Sequence, residues 1–127
     1  MKICIIDYGL GNIFSIKRAI SFLGHDATIS NEHIKIKSSD RIILPGVGTF
    51  GDCIKKLRIL KLDQVLIECA KDNVPILGIC LGMQLLFSNS EEFGNHQGLS
   101  LIPGSVKKFP KSSPTGLQYK IPHVGWG

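Results

Sequence analysis

The hydrophobic pattern alternates between short, solid apolar runs and longer stretches with helical spacing. Ile3-Cys4-Ile5-Ile6, Arg41-Ile42-Ile43-Leu44 and Val74-Pro75-Ile76-Leu77 are runs of the first kind. Continuous apolar runs of this length fit strands buried on both faces of a parallel sheet. Asp26 to Ile29 reads as a further short strand. Between the strands, Ile13, Ile16, Ala19, Ile20 and Leu23 recur at helical spacing, with Asn12 as the expected N-cap and Gly24 as the C′ glycine. Asn31 to Asp40 is polar and reads as a loop or a short helix. Asp52 to Asn73 is helical in pattern, with Ile54, Leu57, Val65, Leu66 and Cys69 on its apolar side. A break is expected near Lys61, with Asp63 capping the second helix. These β-loop-α steps predict an α/β fold: a doubly wound, mostly parallel sheet with flanking helices. Beyond it, Ser88 to Gly98 reads as a solvated polar loop. Leu99 to Phe109, with Pro103-Gly104 inside it, reads as a strand pair, and Pro110 to Gly116 as a Ser/Pro loop. The 127 residues are read as one domain.

The most informative turn is Gly78-Ile79-Cys80-Leu81-Gly82, between an apolar run and Gln84-Leu85-Leu86-Phe87. It has the form of a nucleophile elbow, G-x-S-x-G, with cysteine in place of serine. The flanking glycines suit a strained turn in which strand and helix approach closely. A helix N-terminus favours a thiolate, and the Leu81 N–H is a candidate oxyanion donor. A second glycine-rich segment, Pro45-Gly46-Val47-Gly48-Thr49-Phe50-Gly51, follows a buried strand and reads as a backbone donor loop beside the elbow. Glu92, twelve residues after Cys80, is a candidate to return to the pocket. Gly9-Leu10-Gly11 does not complete a dinucleotide fingerprint, because Phe14 stands at the third glycine position.

Composition narrows the field. The chain is 43% hydrophobic and 20% charged, ordinary for a globular protein. No apolar run reaches membrane-helix length. Asp7 interrupts the N-terminal run too early for a signal peptide, so a cytoplasmic chain is expected. The net charge of +5 sits in loose clusters, Lys55, Lys56, Arg58 and Lys61, then Lys107, Lys108 and Lys111. Neither interleaves aromatics, so a solvated helix face is expected rather than a nucleic-acid site. Cys4, Cys53, Cys69 and Cys80 form no C-x-x-C pair and have no histidine at ligand spacing, so no metal is expected. Cys4, Cys53 and Cys69 are expected in the core.

Four stretches in this order and spacing carry a resemblance over the whole chain. They are Ile6-Asp7-Tyr8-Gly9-Leu10-Gly11-Asn12, Leu44-Pro45-Gly46-Val47-Gly48-Thr49-Phe50, Gly78-Ile79-Cys80-Leu81-Gly82-Met83-Gln84-Leu85-Leu86 and Ile121-Pro122-His123-Val124-Gly125-Trp126. Together they resemble the class I glutamine amidotransferases, and among them the glutaminase subunits of imidazole glycerol phosphate synthase. The resemblance implies a flavodoxin-like fold and no cofactor. Cys80 would attack the side-chain amide of glutamine, forming a glutamyl thioester and releasing ammonia. Val47, Gly48 and Leu81 would supply oxyanion donors through their backbone. Gln84 and Glu92 would hold glutamine. Asn12, His123 and Trp126 would face a (β/α)8 synthase subunit that consumes the ammonia, making imidazole glycerol phosphate and an aminoimidazole carboxamide ribotide.

Two departures qualify the resemblance. The family's catalytic His and Glu lie in a His-x-Glu motif in a later segment, and none of His25, His33, His96 and His123 is followed two residues on by Glu. Gly127 stands where the family usually has Asn. The expectation is therefore an N-terminal portion or a shortened relative that does not complete the reaction alone. The alternatives are a paralogue serving sugar amidination for surface polysaccharides, or a non-catalytic docking or glutamine-binding module.

Overall fold

The computed structural model describes residues 1–107. Four strands, β1 (Ile3–Ile6), β2 (Ala27–Ser30), β3 (Arg41–Leu44) and β4 (Ile76–Gly78), form one parallel sheet in the order β2-β1-β3-β4. The register sets Cys4 beside both Thr28 and Ile42, and Leu44 beside Gly78. Cys4, Ile5 and Ile6 are all at most 1% exposed, so the apolar run lies in the sheet centre, as its pattern predicts.

Alternation along the strands divides the core. Cys4, Ile6, Ile42 and Leu44 face one side, packed by α2 (His33–Lys37), α3 (Phe50–Ile59), α4 (Leu62–Lys71) and α5 (Leu81–Leu85). Ile5, Ala27 and Ile43 face the other, where α1 (Ile13–Phe22) contributes Ile13, Ile16 and Ile20. The sheet is thus wound on both faces. The second face is the thinner: no residue of α1 is fully buried.

Helix ends follow local chemistry. Gly24 is the C′ glycine, at φ +86°. Its N–H bonds to Ser21 O, and the His25 N–H bonds to Ile20 O, closing a Schellman motif. Asn12 occupies the N-cap position of α1, but its side chain makes no capping bond, which corrects the expected role. Only its carbonyl takes part, accepting from the Ile16 N–H. The break between α3 and α4 falls at Lys61, in the left-handed region at φ 58°. Asp63 is not the cap of α4; it lies in the first turn, where its charge suits the helix dipole. The cap of α3 is Thr49, whose hydroxyl accepts from the Asp52 N–H, so α3 starts two residues before the pattern suggests.

A second sheet, order β6-β5-β7, corrects two expectations. The presumed polar loop contains β5 (Phe87–Ser90) and β6 (His96–Gln97), paired antiparallel. Its polarity misleads because Ser90 is fully buried, with its hydroxyl taking the Glu92 N–H. Instead of a strand pair, one strand, β7 (Ile102–Val106), carries Pro103 and Gly104 and runs parallel to β5. A proline is tolerated there because, among the described residues, β7 is at the edge of this sheet. The readings at Pro110 to Gly116, His123 and Trp126 lie outside the described residues.

Candidate active site

β4 runs out at Gly78, and the chain reverses through Ile79 and Cys80 into α5. Cys80 sits at φ 55° and ψ −126°, backbone that L-residues rarely adopt. The turn is closed by Gly82 N–H to Ile79 O and Met83 N–H to Cys80 O, each at 3.0 Å. Both elbow glycines are required by close approach. A Cβ on Gly78 would fall 2.6 Å from Met83 Cα, and one on Gly82 would run into the Leu44 carbonyl. The elbow helix therefore packs directly on the end of β3, and Cys80 is lifted out of the core. Cys4, Cys53 and Cys69 are buried, while Cys80 is the exposed thiol of the four. Burial pushes the Cys4, Cys53 and Cys69 thiols above their ordinary range.

The glycine-rich loop lies against this elbow. Pro45 and Gly46 are buried, whereas Val47 and Gly48 are exposed. A Cβ on Gly46 would lie 2.7 Å from Gly82 N. Gly48 is at φ +92°, a second backbone position that needs glycine. Asn12, Ser15, Pro45, Gly46, Val47 and Cys80 share a cleft of about 290 Å³ between α1, the loop and the elbow. Its lining is mainly apolar, with a few polar groups, as small-molecule sites are.

Gln84 lies one turn along α5 from Cys80. Its Oε1 is buried and has no hydrogen-bond partner among the described residues. An acceptor buried without a partner is costly, so Gln84 is a candidate to bond a ligand in this region. Glu92 accepts the Phe50 N–H at 3.0 Å, at the end of the glycine-rich loop. The structure thus brings Cys80, Val47 and Asn12 around one cleft, with Gly48 next to Val47 in the loop, and ties Glu92 to the end of that loop.

Two residues of this region carried no sequence signal for a role. Tyr8 donates its hydroxyl to Pro45 O at 2.6 Å, and Cys53 donates its thiol to Val47 O at 3.3 Å. Burial pushes the Tyr8 phenol well above its ordinary range. Two of the three described histidines bond elsewhere through their rings: His33 Nε2 with Leu60 O, and His96 Nε2 with Phe93 O. Lys55, Lys56, Arg58 and Lys61 are exposed, the solvated face expected. Among the described residues no three His, Cys, Asp or Glu side chains converge on a metal site, and no helix is long and apolar enough to cross a membrane.

Residues 4–124 match the family model described as glutamine amidotransferase class-I. Curated relatives extend the match. The chain is 42% identical over 125 residues to a protein of Syntrophotalea carbinolica, 98% of this chain and 61% of that one. It is 48% identical over 124 residues to one of Bacillus cytotoxicus, 98% of this chain and 56% of that one. It is 47% identical over 124 residues to one of Sulfurimonas denitrificans, 98% of this chain and 59% of that one. All three are named imidazole glycerol phosphate synthase subunit HisH. The chain spans 56–61% of the length of these relatives. Among solved structures, a protein described as a peptidase E from Listeria monocytogenes aligns with a TM-score of 0.65 at 16% identity, over 80% of this chain and 62% of that one. At that identity the likeness concerns the fold alone, a flavodoxin-like α/β sheet.

Proposed function

The chain belongs to the class I glutamine amidotransferase family, and from that premise we propose that it acts as the glutaminase part of an imidazole glycerol phosphate synthase. Glutamine is the substrate, and a (β/α)8 synthase subunit receives the ammonia in histidine biosynthesis. The observation that carries this reading is an exposed Cys80 at positive φ, with the buried Oε1 of Gln84, which has no partner among the described residues, one turn away.

Cys80 Sγ attacks the side-chain amide carbon of glutamine, and the carbonyl oxygen takes the negative charge. The N–H groups of Val47, Gly48 and Leu81 stabilise that oxyanion. The C–N bond then breaks, the amide nitrogen leaves as ammonia after taking a proton, and a glutamyl thioester remains on Cys80. Water hydrolyses the thioester to glutamate. Gln84 accepts a hydrogen bond from the substrate, which supplies the partner its Oε1 lacks. Glu92 helps to hold glutamine from the loop side. The proton acceptor would be a His-x-Glu pair, as the family resemblance implies. Asn12, exposed on the rim of the Cys80 cleft, faces the synthase subunit together with His123 and Trp126.

The test is covalent trapping. A diazoketone analogue of glutamine, 6-diazo-5-oxonorleucine, should add one adduct at Cys80, located by peptide mass spectrometry. Excess glutamine should slow the labelling. Labelling that ignores glutamine, or that falls on other cysteines equally, would contradict a glutamine site at the elbow.

A further inference from the structure

Tyr8 and Cys53 play no part in the chemistry above, yet both lie under the glycine-rich loop, 2% and 0% exposed. They come from separate elements, Tyr8 from the turn after β1 and Cys53 from the first turns of α3. Each meets a different carbonyl of the loop: Tyr8 Oη–H meets Pro45 O at 2.6 Å, and Cys53 Sγ–H meets Val47 O at 3.3 Å. Burial holds both protonated at neutral pH, so both remain donors.

A trans peptide carries its C=O and N–H on opposite sides. Fixing the carbonyl therefore fixes the direction of the N–H. The Pro45 carbonyl shares its peptide with the Gly46 N–H, and the Val47 carbonyl shares its peptide with the Gly48 N–H. With both carbonyls drawn into the core, both N–H groups are turned away from it. The loop needs such restraint. Gly48 is held at φ +92°, and Val47 beside it is 46% exposed and has little packing of its own. Gly46 is wedged from both sides, since a Cβ there would stand 2.7 Å from Gly82 N and 2.9 Å from Tyr8 Oη.

We propose that Tyr8 and Cys53 are positioning residues for the oxyanion: they hold the Pro45 and Val47 carbonyls inward, so that the Gly48 N–H is presented outward to the reacting carbonyl. This rests on the amidotransferase reading above. It assigns the two buried side chains a part in kcat that neither exerts by touching substrate.

The experiment compares Tyr8→Phe, Cys53→Ala and Cys53→Ser with the wild-type protein, each bound to a (β/α)8 synthase subunit. Removing one oxyanion donor outright costs a hundredfold or more in kcat, so loosening one should cost about tenfold. Tyr8→Phe and Cys53→Ala should show that loss with KM changed by less than about twofold, and Cys53→Ser, which keeps a donor, should restore most of it. Alkylation of Cys80 by iodoacetamide forms no oxyanion and should keep its wild-type rate. Unchanged kcat in folded variants would overturn the proposal. So would a parallel fall in alkylation, which would mean that the pair positions Cys80 instead. The amide resonance of Gly48 gives a readout that needs no turnover: it should shift in Cys53→Ala and return in Cys53→Ser. A Gly48 amide indifferent to both overturns the proposal whatever the kinetics. A wild-type chain that releases no glutamate, with a Gly48 amide that does respond, would leave the carbonyl restraint standing and sink the amidotransferase reading.

Discussion

Glu92 accepts the backbone N–H of Phe50 at 3.0 Å across 42 residues of sequence. One end of this bond is the first residue of α3, where the loop beside Cys80 stops; the other follows β5, in the second sheet. A carboxylate at a helix N-terminus satisfies an orphan donor and meets the positive end of the dipole. Glu92→Ala should destabilise the fold by about 1–2 kcal/mol, and Glu92→Gln by less, since the amide oxygen still accepts. Urea unfolding of the three proteins checks this. Identical midpoints would mean that the bond supports nothing.

The contact between Gly82 and the Leu44 carbonyl leaves no room for a methyl group. Gly82→Ala must push α5 away from β3, at a cost of about 3 kcal/mol or more. Gly78→Ala meets Met83 Cα at 2.6 Å and should behave alike. Far-UV circular dichroism during thermal unfolding reads the effect. A wild-type melting temperature in either variant would show that the elbow is looser than this geometry requires.

Cys80 is a non-glycine residue in a glycine-favoured conformation, and it is exposed. Strain of this kind costs about 1–3 kcal/mol. Cys80→Gly should therefore raise stability by about 1 kcal/mol while removing the thiol, whereas Cys80→Ala removes the thiol and keeps the strain. Denaturant midpoints for the two variants decide it. A Gly variant no more stable than the Ala variant would mean that the backbone here is unstrained.

Cys4, Cys53 and Cys69 all ionise above the ordinary thiol value of 9.0 because they are buried. Tyr8 is raised from 10.0 by burial first and then by its contact with Cys53. In each case the fold favours the protonated form. As pH rises through the unfolded value, the unfolded chain loses its proton first. Stability is thus complete below about pH 9 and falls above it, by about 1.4 kcal/mol per pH unit for each proton held only by the folded state. Urea midpoints between about pH 8 and pH 10.5 should drop accordingly, and less steeply in Cys69→Ala. A flat profile would contradict the burial of these thiols.

Local patterns carried much of this architecture. The solid apolar runs marked β1 and β3, Gly24 marked the end of α1, and the spacing of Gly78, Cys80 and Gly82 marked the elbow. Each of these is written within a few neighbouring residues. The features that local pattern does not encode depend on partners far away in sequence. Ser90 is polar in sequence but buried beside Glu92 in the fold, so local pattern reads β5 as a loop. Asn12 looks like a cap, yet its side chain is free of the helix and lines the Cys80 cleft. Tyr8 and Cys53 look like ordinary core residues, because their carbonyl partners lie 37 and 6 residues away, on a loop whose path no periodicity encodes. The orphan Oε1 of Gln84 is a matter of three-dimensional accounting, and only a structure reveals it.

The central claim is that Cys80 breaks the side-chain amide of glutamine for a synthase partner. Glutamate release from glutamine tests it most directly, with and without the (β/α)8 subunit and its ligand, against Cys80→Ala. Release should require Cys80 and rise when the protein is bound to the liganded partner. No release from a folded complex, or release undiminished by Cys80→Ala, would contradict it.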